Sequence, residues 1–485
     1  ESISRMMYKS LLPIIIIVIH SCTSNKSEPF TFGNSVLAQI DNHIILKNEF
    51  IQRAEYVIRP NYCSKGNNVH KQIVLNSLIA EKLLAIEGEQ LFNLDTISNF
   101  LNGLKKQSMR EKLFFAKSQS NDLGGEALDE YLKTAERTYH LSFITLPRNV
   151  VADTLLNIND SAELINDMFD SVEIASRDVS FFSEHNYRLH QAIFSNRFNK
   201  HDIIGPLNLE DGTSIIMRVE GWRSERRLSK GSQQEYVRNV KEQLTGLRNI
   251  EQYADYIHAV MNNKTLKFNQ DSFTKLINNL YYEMLQFENS KKELFRKAIW
   301  PENKLVLSGG YTSVNIDENE IIFNMDGKDW TMSNLQDLIN SHPLVFRKKK
   351  ISKTDFPDAV KNAIADLVRD YYLTQEALEL NYDDDPYINQ YVNMWREHFI
   401  ASTLRTKLLQ SKSSNTNDIE YLNPIIKELF NKYSDNIQID LELFDSINLT
   451  SIPMHVSNKN AAYQSPIPQF PILTDNHTID YGRSR

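Results

Sequence analysis

Val36-Leu37-Ala38-Gln39-Ile40-Asp41-Asn42-His43-Ile44-Ile45-Leu46 and, far downstream, Ile321-Ile322-Phe323-Asn324-Met325-Asp326-Gly327-Lys328-Asp329-Trp330-Thr331-Met332 are the stretches on which the fold turns. Each is a pair of short apolar runs around a turn signal, the pattern of a β-hairpin. After the first, Phe50, Ile51, Ala54 and Val57 mark a short helix over Asn48 to Val57, and Val74, Leu75, Leu78, Ile79, Leu83, Leu84 and Ile86 mark a longer one over Ile73 to Leu91. A third helix is expected from Asp95 to Ala116 and one more from Leu128 to Thr138. After the second hairpin, Ser333-Asn334-Leu335-Gln336-Asp337-Leu338 opens a helix as Lys47-Asn48-Glu49-Phe50 does.

The likeness continues. Leu78-Ile79-Ala80-Glu81-Lys82-Leu83-Leu84-Ala85-Ile86-Glu87 lies on Leu367-Val368-Arg369-Asp370-Tyr371-Tyr372-Leu373-Thr374-Gln375-Glu376, and Arg110-Glu111-Lys112-Leu113-Phe114 on Arg396-Glu397-His398-Phe399-Ile400. The shared order of hairpin, short helix, long helix and further helix predicts a duplicated lobe, residues 33–136 and 305–412. Between them, residues 137–222 change character. Tyr139 to Leu146 alternates and is rich in aromatic and branched residues, as a strand is. Asp160 to Phe169 reads as a short helix, and Thr213 to Trp222 as another strand behind the turn Glu210-Asp211-Gly212. The expectation is a mainly α chain with a small α+β domain. A helical segment follows at 223–304, a C-terminal helix and strand at 413–452, and a polar, proline-punctuated flexible tail at 453–485.

The chain has 485 residues, 41% of them hydrophobic, enough for real cores. A net charge of −8 with mixed signs along the chain gives no basic face for nucleic acid. No Gly-x-Ser-x-Gly, Walker loop, dinucleotide fingerprint or His-Glu-x-x-His is present, and no metal or other cofactor is expected. His185, His190 and His201 fall in a candidate loop without ligand spacing. Asp383-Asp384-Asp385-Pro386 reads as a carboxylate before proline at a helix start, and Ser308-Gly309-Gly310 as a linker turn. Tyr281, Tyr282, Phe287, Tyr371, Tyr372, Trp395 and Phe399 fall on expected helices, chiefly as core.

At the N-terminus, Met6-Met7-Tyr8-Lys9-Ser10 and the apolar run Leu11 to Ile19 have the layout of a signal peptide, 1–22. Ile19-His20-Ser21-Cys22 resembles the lipobox of bacterial lipoproteins, although His20 is an unusual occupant. The resemblance implies lipid attachment at Cys22, a tether over 23–32 and a body on the cell envelope facing the periplasm, with the outer membrane favoured. Cys63 is then the one cysteine left, so no internal disulfide forms.

This order resembles the extracytoplasmic foldases related to SurA and PrsA, whose middle module is the prolyl isomerase parvulin. Leu141-Ser142-Phe143-Ile144-Thr145-Leu146 is similar to the parvulin first strand and Gln191-Ala192-Ile193-Phe194 to its segment with a pocket phenylalanine. Asp202-Ile203-Ile204-Gly205-Pro206 with Asp211-Gly212-Thr213-Ser214-Ile215-Ile216-Met217-Arg218-Val219 resembles the closing turn and last strand. Parvulin pockets use two histidines; here Phe143 stands at the first and Ser214 at the second, and the glycine-rich loop is replaced by Phe181-Phe182-Ser183-Glu184-His185-Asn186-Tyr187. His140 is out of phase with Phe143 on an alternating strand.

The resemblance therefore implies two SurA-like lobes around a degenerate parvulin-like domain. Its vestigial pocket would be Phe143, Phe194 and Ser214, with no catalytic residue. The implied function is a chaperone or foldase that binds unfolded exported proteins, outer-membrane proteins among them, with weak or no isomerase activity. Two alternatives stand beside it: an active peptidyl-prolyl isomerase, and a structural adaptor lipoprotein with one envelope partner.

Overall fold

The computed structural model describes residues 35–89, 91, 95–118, 126–147, 174–209, 213–224, 230–281, 317–341, 351–412, 416–450 and 467–484. The expected signal segment, Cys22 and the expected tether lie outside the described residues, as do the helix expected at Asp160 to Phe169, Tyr282, Phe287 and Ser308-Gly309-Gly310.

The first hairpin forms as expected, β1 (Val36–Ile40) against β2 (His43–Leu46), turning at Asp41 in the left-handed region (φ 50°). Helix α1 (Lys47–Glu55) and the long α2 (Asn68–Glu89) follow, then α3 (Asp95–Lys117) and α4 (Glu126–Ala135). The middle domain is β3 (Arg137–Pro147), β4 (Ser176–Ser180), α5 (Tyr187–Phe194), β5 (Ile203–Asn208) and β6 (Thr213–Ser224), an antiparallel sheet in the order β4-β3-β6-β5. The helix expected at Leu128 to Thr138 stops earlier, because Thr138 already pairs with Ser180 and Arg223 inside the sheet.

Helix α6 (Lys230–Met261) ends at left-handed Asn263 (φ 62°), and β7 (Leu266–Phe268) precedes α7, residues 270–281. The helical segment predicted at 223–304 is thus interrupted by a strand, which pairs with β8 (Ile321–Met325) of the second hairpin. That hairpin closes with β9 (Lys328–Thr331) through Asp326 and Gly327, both at positive φ, the two-residue geometry that matches strand twist. Helices α8 (Met332–Ser341), α9 (Phe356–Glu379), α10 (Pro386–Gln410) and α11 (Asp418–Lys432), strand β10 (Ile437–Ile439), the short α12 (Leu441–Ser446) and β11 (Arg483–Ser484) follow among the described residues. Asp385 caps α10, accepting from the N–H groups of Tyr387 and Ile388 ahead of Pro386.

Among the described residues three large cores, beside a small cluster around Ile216, organise these elements, and they cross the boundaries drawn from the sequence. The first core takes Leu37, Phe50, Leu78 and Leu83 from the N-terminal hairpin and helices, but also Ala401 and Leu404 of α10, Leu422 and Ile426 of α11, Ile437 and Ile439 of β10, and Phe470 and Leu473 near the C-terminus. Strand β10 pairs antiparallel with β1 and carries β11 on its other edge. The second lobe's core, around Phe323, Trp330, Leu335, Ile364 and Val368, receives Met109 and Leu113 from α3, and Ile250 through Met261 from α6. So α3 leaves the 33–136 lobe to pack with the second hairpin's helices, and α10 leaves the 305–412 lobe to pack with the first's. The middle core joins Tyr139, Leu141, Met217 and Val219 of the sheet to Phe181, Ile193, Phe194 and, from the start of α6, Tyr236, Val240 and Leu244.

The expectation of a flexible tail at 453–485 is corrected for residues 467–484, which are packed. Pro468, Phe470, Pro471, Leu473 and Thr474 are buried, and the chain end forms β11. The polar composition misled because the apolar residues sit singly between prolines, with no period that marks a helix or a paired strand.

Candidate functional site

On the middle sheet Phe143 sits opposite Met217, and Ser214 sits opposite Leu146. Three positions separate Met217 from Ser214 on one unbroken strand, so they point to opposite faces. Phe143 packs toward the middle core with Met217, whereas Ser214 lies fully buried on the other face and donates its Oγ proton to Asn208 Oδ1 at 2.7 Å. Ile215 is the residue of β6 that shares Phe143's face next to Met217. The pocket read from the sequence is therefore not brought together: Phe143 and Ser214 are parted by the sheet, and the position facing Phe143 is apolar.

Phe194 is closed rather than lining an opening. It is fully buried, edge-on to Phe181 at 5.3 Å and tilted against Tyr139 at 5.9 Å and His190 at 5.1 Å. His190 lies on helix α5, not in a loop, with its Nε2 3.1 Å from the Phe181 carbonyl oxygen. Burial pushes its pKa down to about 4, so it is a neutral core histidine. His140 lies on the far side of the strand and is half exposed beside Asp178 at 2.8 Å. The Phe181 to Tyr187 stretch turns and then starts α5, with Asn186 as cap accepting from the Leu189 N–H.

One opening among the described residues lies on the outer side of α5. A shallow cavity of about 520 Å³ is bounded by Tyr187, Arg188, Gln191, Ala192 and Ser195, by Leu207 of β5 and by Glu251 of α6. Arg188 and Glu251 approach to 3.5 Å at its rim. Such a surface can hold a short apolar group against Ala192 and Leu207; its charged pair neutralises itself.

A larger polar cluster lies where α10 meets α1, α2 and β2, and it is buried. Arg53 donates two parallel bonds to Glu81, 2.9 and 3.0 Å, and Glu81 also lies 2.7 Å from His398 Nδ1. Next to it Lys82 donates to Glu49 at 2.8 Å and Glu397 at 2.6 Å, and Glu397 reaches His43 Nδ1 at 2.6 Å. Arg53, Glu81 and Lys82 are wholly inaccessible. Burial alone would raise the Glu81 carboxyl, but Arg53 and His398 outweigh it and hold it at about 2. Glu397 is likewise lowered by Lys82 and His43 against its burial, while at Glu49 burial prevails over Lys82 and the carboxyl is raised. Glu49 Oε2 and Arg53 Nε are buried without a hydrogen-bond partner.

Nothing in the sequence reading anticipated this network. The available signal was Glu81-Lys82 inside the apolar run Leu78-Ile79-Ala80-Glu81-Lys82-Leu83-Leu84, since charges at buried helix positions need partners. Each carboxylate is already held by a cation, Glu81 by Arg53 and both Glu49 and Glu397 by Lys82, so its chemistry is that of a fastener. Among the described residues no group of three or more His, Cys, Asp or Glu is placed to hold a metal. Cys63 is buried with its thiol pushed up to about 12 by burial, so it is inert. No described helix is long and apolar enough to cross a membrane.

No family model, no curated protein and no solved structure matches the chain.

Proposed function

We propose that this chain is a membrane-tethered, periplasm-facing chaperone or foldase that binds unfolded exported proteins. It is held through lipid on Cys22 and built from a duplicated SurA-like lobe around a parvulin-like domain with weak or no isomerase activity. The observation that carries the reading is the apolar face at Phe143, Ile215 and Met217, where the resemblance to parvulin implies a polar, histidine-bearing cluster. Rotation about an X-Pro bond has a barrier of about 18–20 kcal/mol, and a site lowers it only through groups that interact more strongly with the twisted state. This face offers no such groups and packs into the middle core, which supports the part of the reading that isomerase activity is weak or absent. Support for the duplication comes from the two hairpins, each opening a short helix and followed by two long ones, and from the exchange of their third helices, α3 and α10.

The test uses residues 23–485 with a chemically unfolded outer-membrane β-barrel protein diluted from denaturant. Near-stoichiometric suppression of light scattering is the expected result. No suppression, with one stoichiometric envelope partner recovered by crosslinking, would replace this reading with that of an adaptor. In a protease-coupled assay on a short proline peptide the rate should stay at background.

A further inference from the structure

The C-terminal segment 467–484 crosses the first lobe as a bound peptide would. From 467 to 480 it has no helix or strand of its own, and only Arg483 and Ser484 join a ladder, parallel to Gln438 and Ile439. Side chains of the lobe take its carbonyl oxygens instead. Arg53 donates to Gln469 O at 2.6 Å, Arg405 to Ile472 O at 3.1 Å, Ser77 to Thr474 O at 3.4 Å, and Asn76 to Asn476 O and Thr478 O at 2.8 and 3.0 Å. Donors on α1, α2 and α10 thus read main chain, which every polypeptide presents. Between these contacts Phe470 and Leu473 enter the first core. Arg53 is fixed for this task by its two bonds to Glu81, independently of the segment it meets.

Main-chain bonds for affinity and spaced apolar pockets for preference are how grooves bind extended peptides. We infer that the groove between α2, α10 and α11 is a binding site for an extended aromatic- and proline-bearing segment of another polypeptide, which residues 467–484 occupy in cis. This rests on the folding-factor reading for the identity of the partner, an unfolded chain, but not for the groove. Cis occupancy is favoured by the high effective concentration of a tethered segment, so an outside chain competes only when it offers the same anchors or when the tether is cut.

The experiment uses the full chain with a specific protease site placed between Thr450 and Ile467 and a fluorophore at the chain end. After cleavage, the labelled 467–485 fragment should remain bound and then exchange with a synthetic 467–484 peptide. It should exchange also with a probe that keeps Pro468, Phe470, Pro471, Leu473 and Thr474 in a scrambled background. A probe with Phe470→Ala and Leu473→Ala should compete at least ~10-fold less well. Cleavage should raise apparent affinity for the unfolded barrel protein by about 100-fold. In the uncut chain, Asn423→Cys with Asp475→Cys, at a pair whose side chains are joined by a 2.8 Å hydrogen bond, bridged by a short thiol-reactive crosslinker, should lock the segment and abolish exchange and displacement.

Rebinding of the native peptide alone, with the anchored scrambled probe inert, would make the segment an ordinary part of the fold and overturn the inference. So would unaltered binding of unfolded protein by the locked chain, which would leave the folding-factor reading standing. Exchange with the anchored probe, but no displacement by unfolded protein, would keep the groove and remove that reading.

Discussion

The two helix exchanges are alike in layout and different in chemistry. Where α10 lies on α2, the seam holds Arg53, Glu81, Lys82 and Glu397 out of water, and His398 and His43 close its ends. Where α3 lies on α9, the charges are fewer and nearer the surface: Arg110 donates to Thr374 Oγ1 at 2.9 Å and approaches Asp370 to 3.9 Å, while Asp370 is bound chiefly by Arg369 at 2.7 Å. Apolar contact dominates there, through Met109 and Leu113, and aromatic rings bridge α3 to α10 at Phe100, Trp395 and Phe399, 5.2 to 5.7 Å apart. A buried ionic seam tolerates few geometries, because each misplacement leaves an unpaired charge; an apolar seam tolerates many. On this ground the first exchange is predicted to be the more specific of the two.

The largest effect should follow from opening the first seam. Glu81→Ala strands Arg53 and His398 in the core and should cost about 3–5 kcal/mol in urea unfolding. Asp370→Ala, at a partly exposed site where Arg369 keeps Asp366, should cost about 1–2 kcal/mol. Equal losses would erase the distinction between the seams. Leu113→Ala should cost about 2–5 kcal/mol, and hydrogen exchange should accelerate in α9 and β8 rather than in α1 and β1. Acceleration confined to the first lobe would contradict the exchange itself.

A pH titration sharpens the comparison. Glu81 has a folded pKa near 2 against an ordinary 4.5, so its stabilisation is complete above 4.5 and is lost as the pH falls toward 2. His190 has a folded value near 4 against 6.5, so the middle domain should lose stability as the pH falls through that window, the unfolded chain taking up the proton first. Glu81→Gln should flatten the lower slope and His190→Gln the upper, each read from urea midpoints between pH 7 and 3. The smallest change is expected from Lys112→Ala, whose ion pair with Asp385 is 41% exposed on the lysine side; a loss below ~1 kcal/mol is expected.

Local elements were legible because their causes are local. The hairpins announce themselves at Asp41-Asn42 and Asp326-Gly327, α10 at Asp385-Pro386, and β3 and β6 by alternation. What the sequence hides is which element a helix chooses as neighbour. Leu113 presents the same apolar stripe to either lobe, so periodicity could not send α3 to the second. Ser214 was placed in the pocket by motif likeness, and only the register of β6 against β3 shows that it faces away. The packed 467–484 segment was illegible for a related reason: its partners are side chains of distant helices, Asn76 and Arg405 among them.

The pairing of β1 with β10 joins residues far apart in sequence, Ala38 with Ile439. During synthesis β1 must therefore wait, unpaired along one side, until β10 has been made. Contacts so distant in sequence close late, after a large loss of loop entropy, and slow the folding of the whole. A chain wired in this way leaves the open edge of its first hairpin exposed until residues 437–439 reach it.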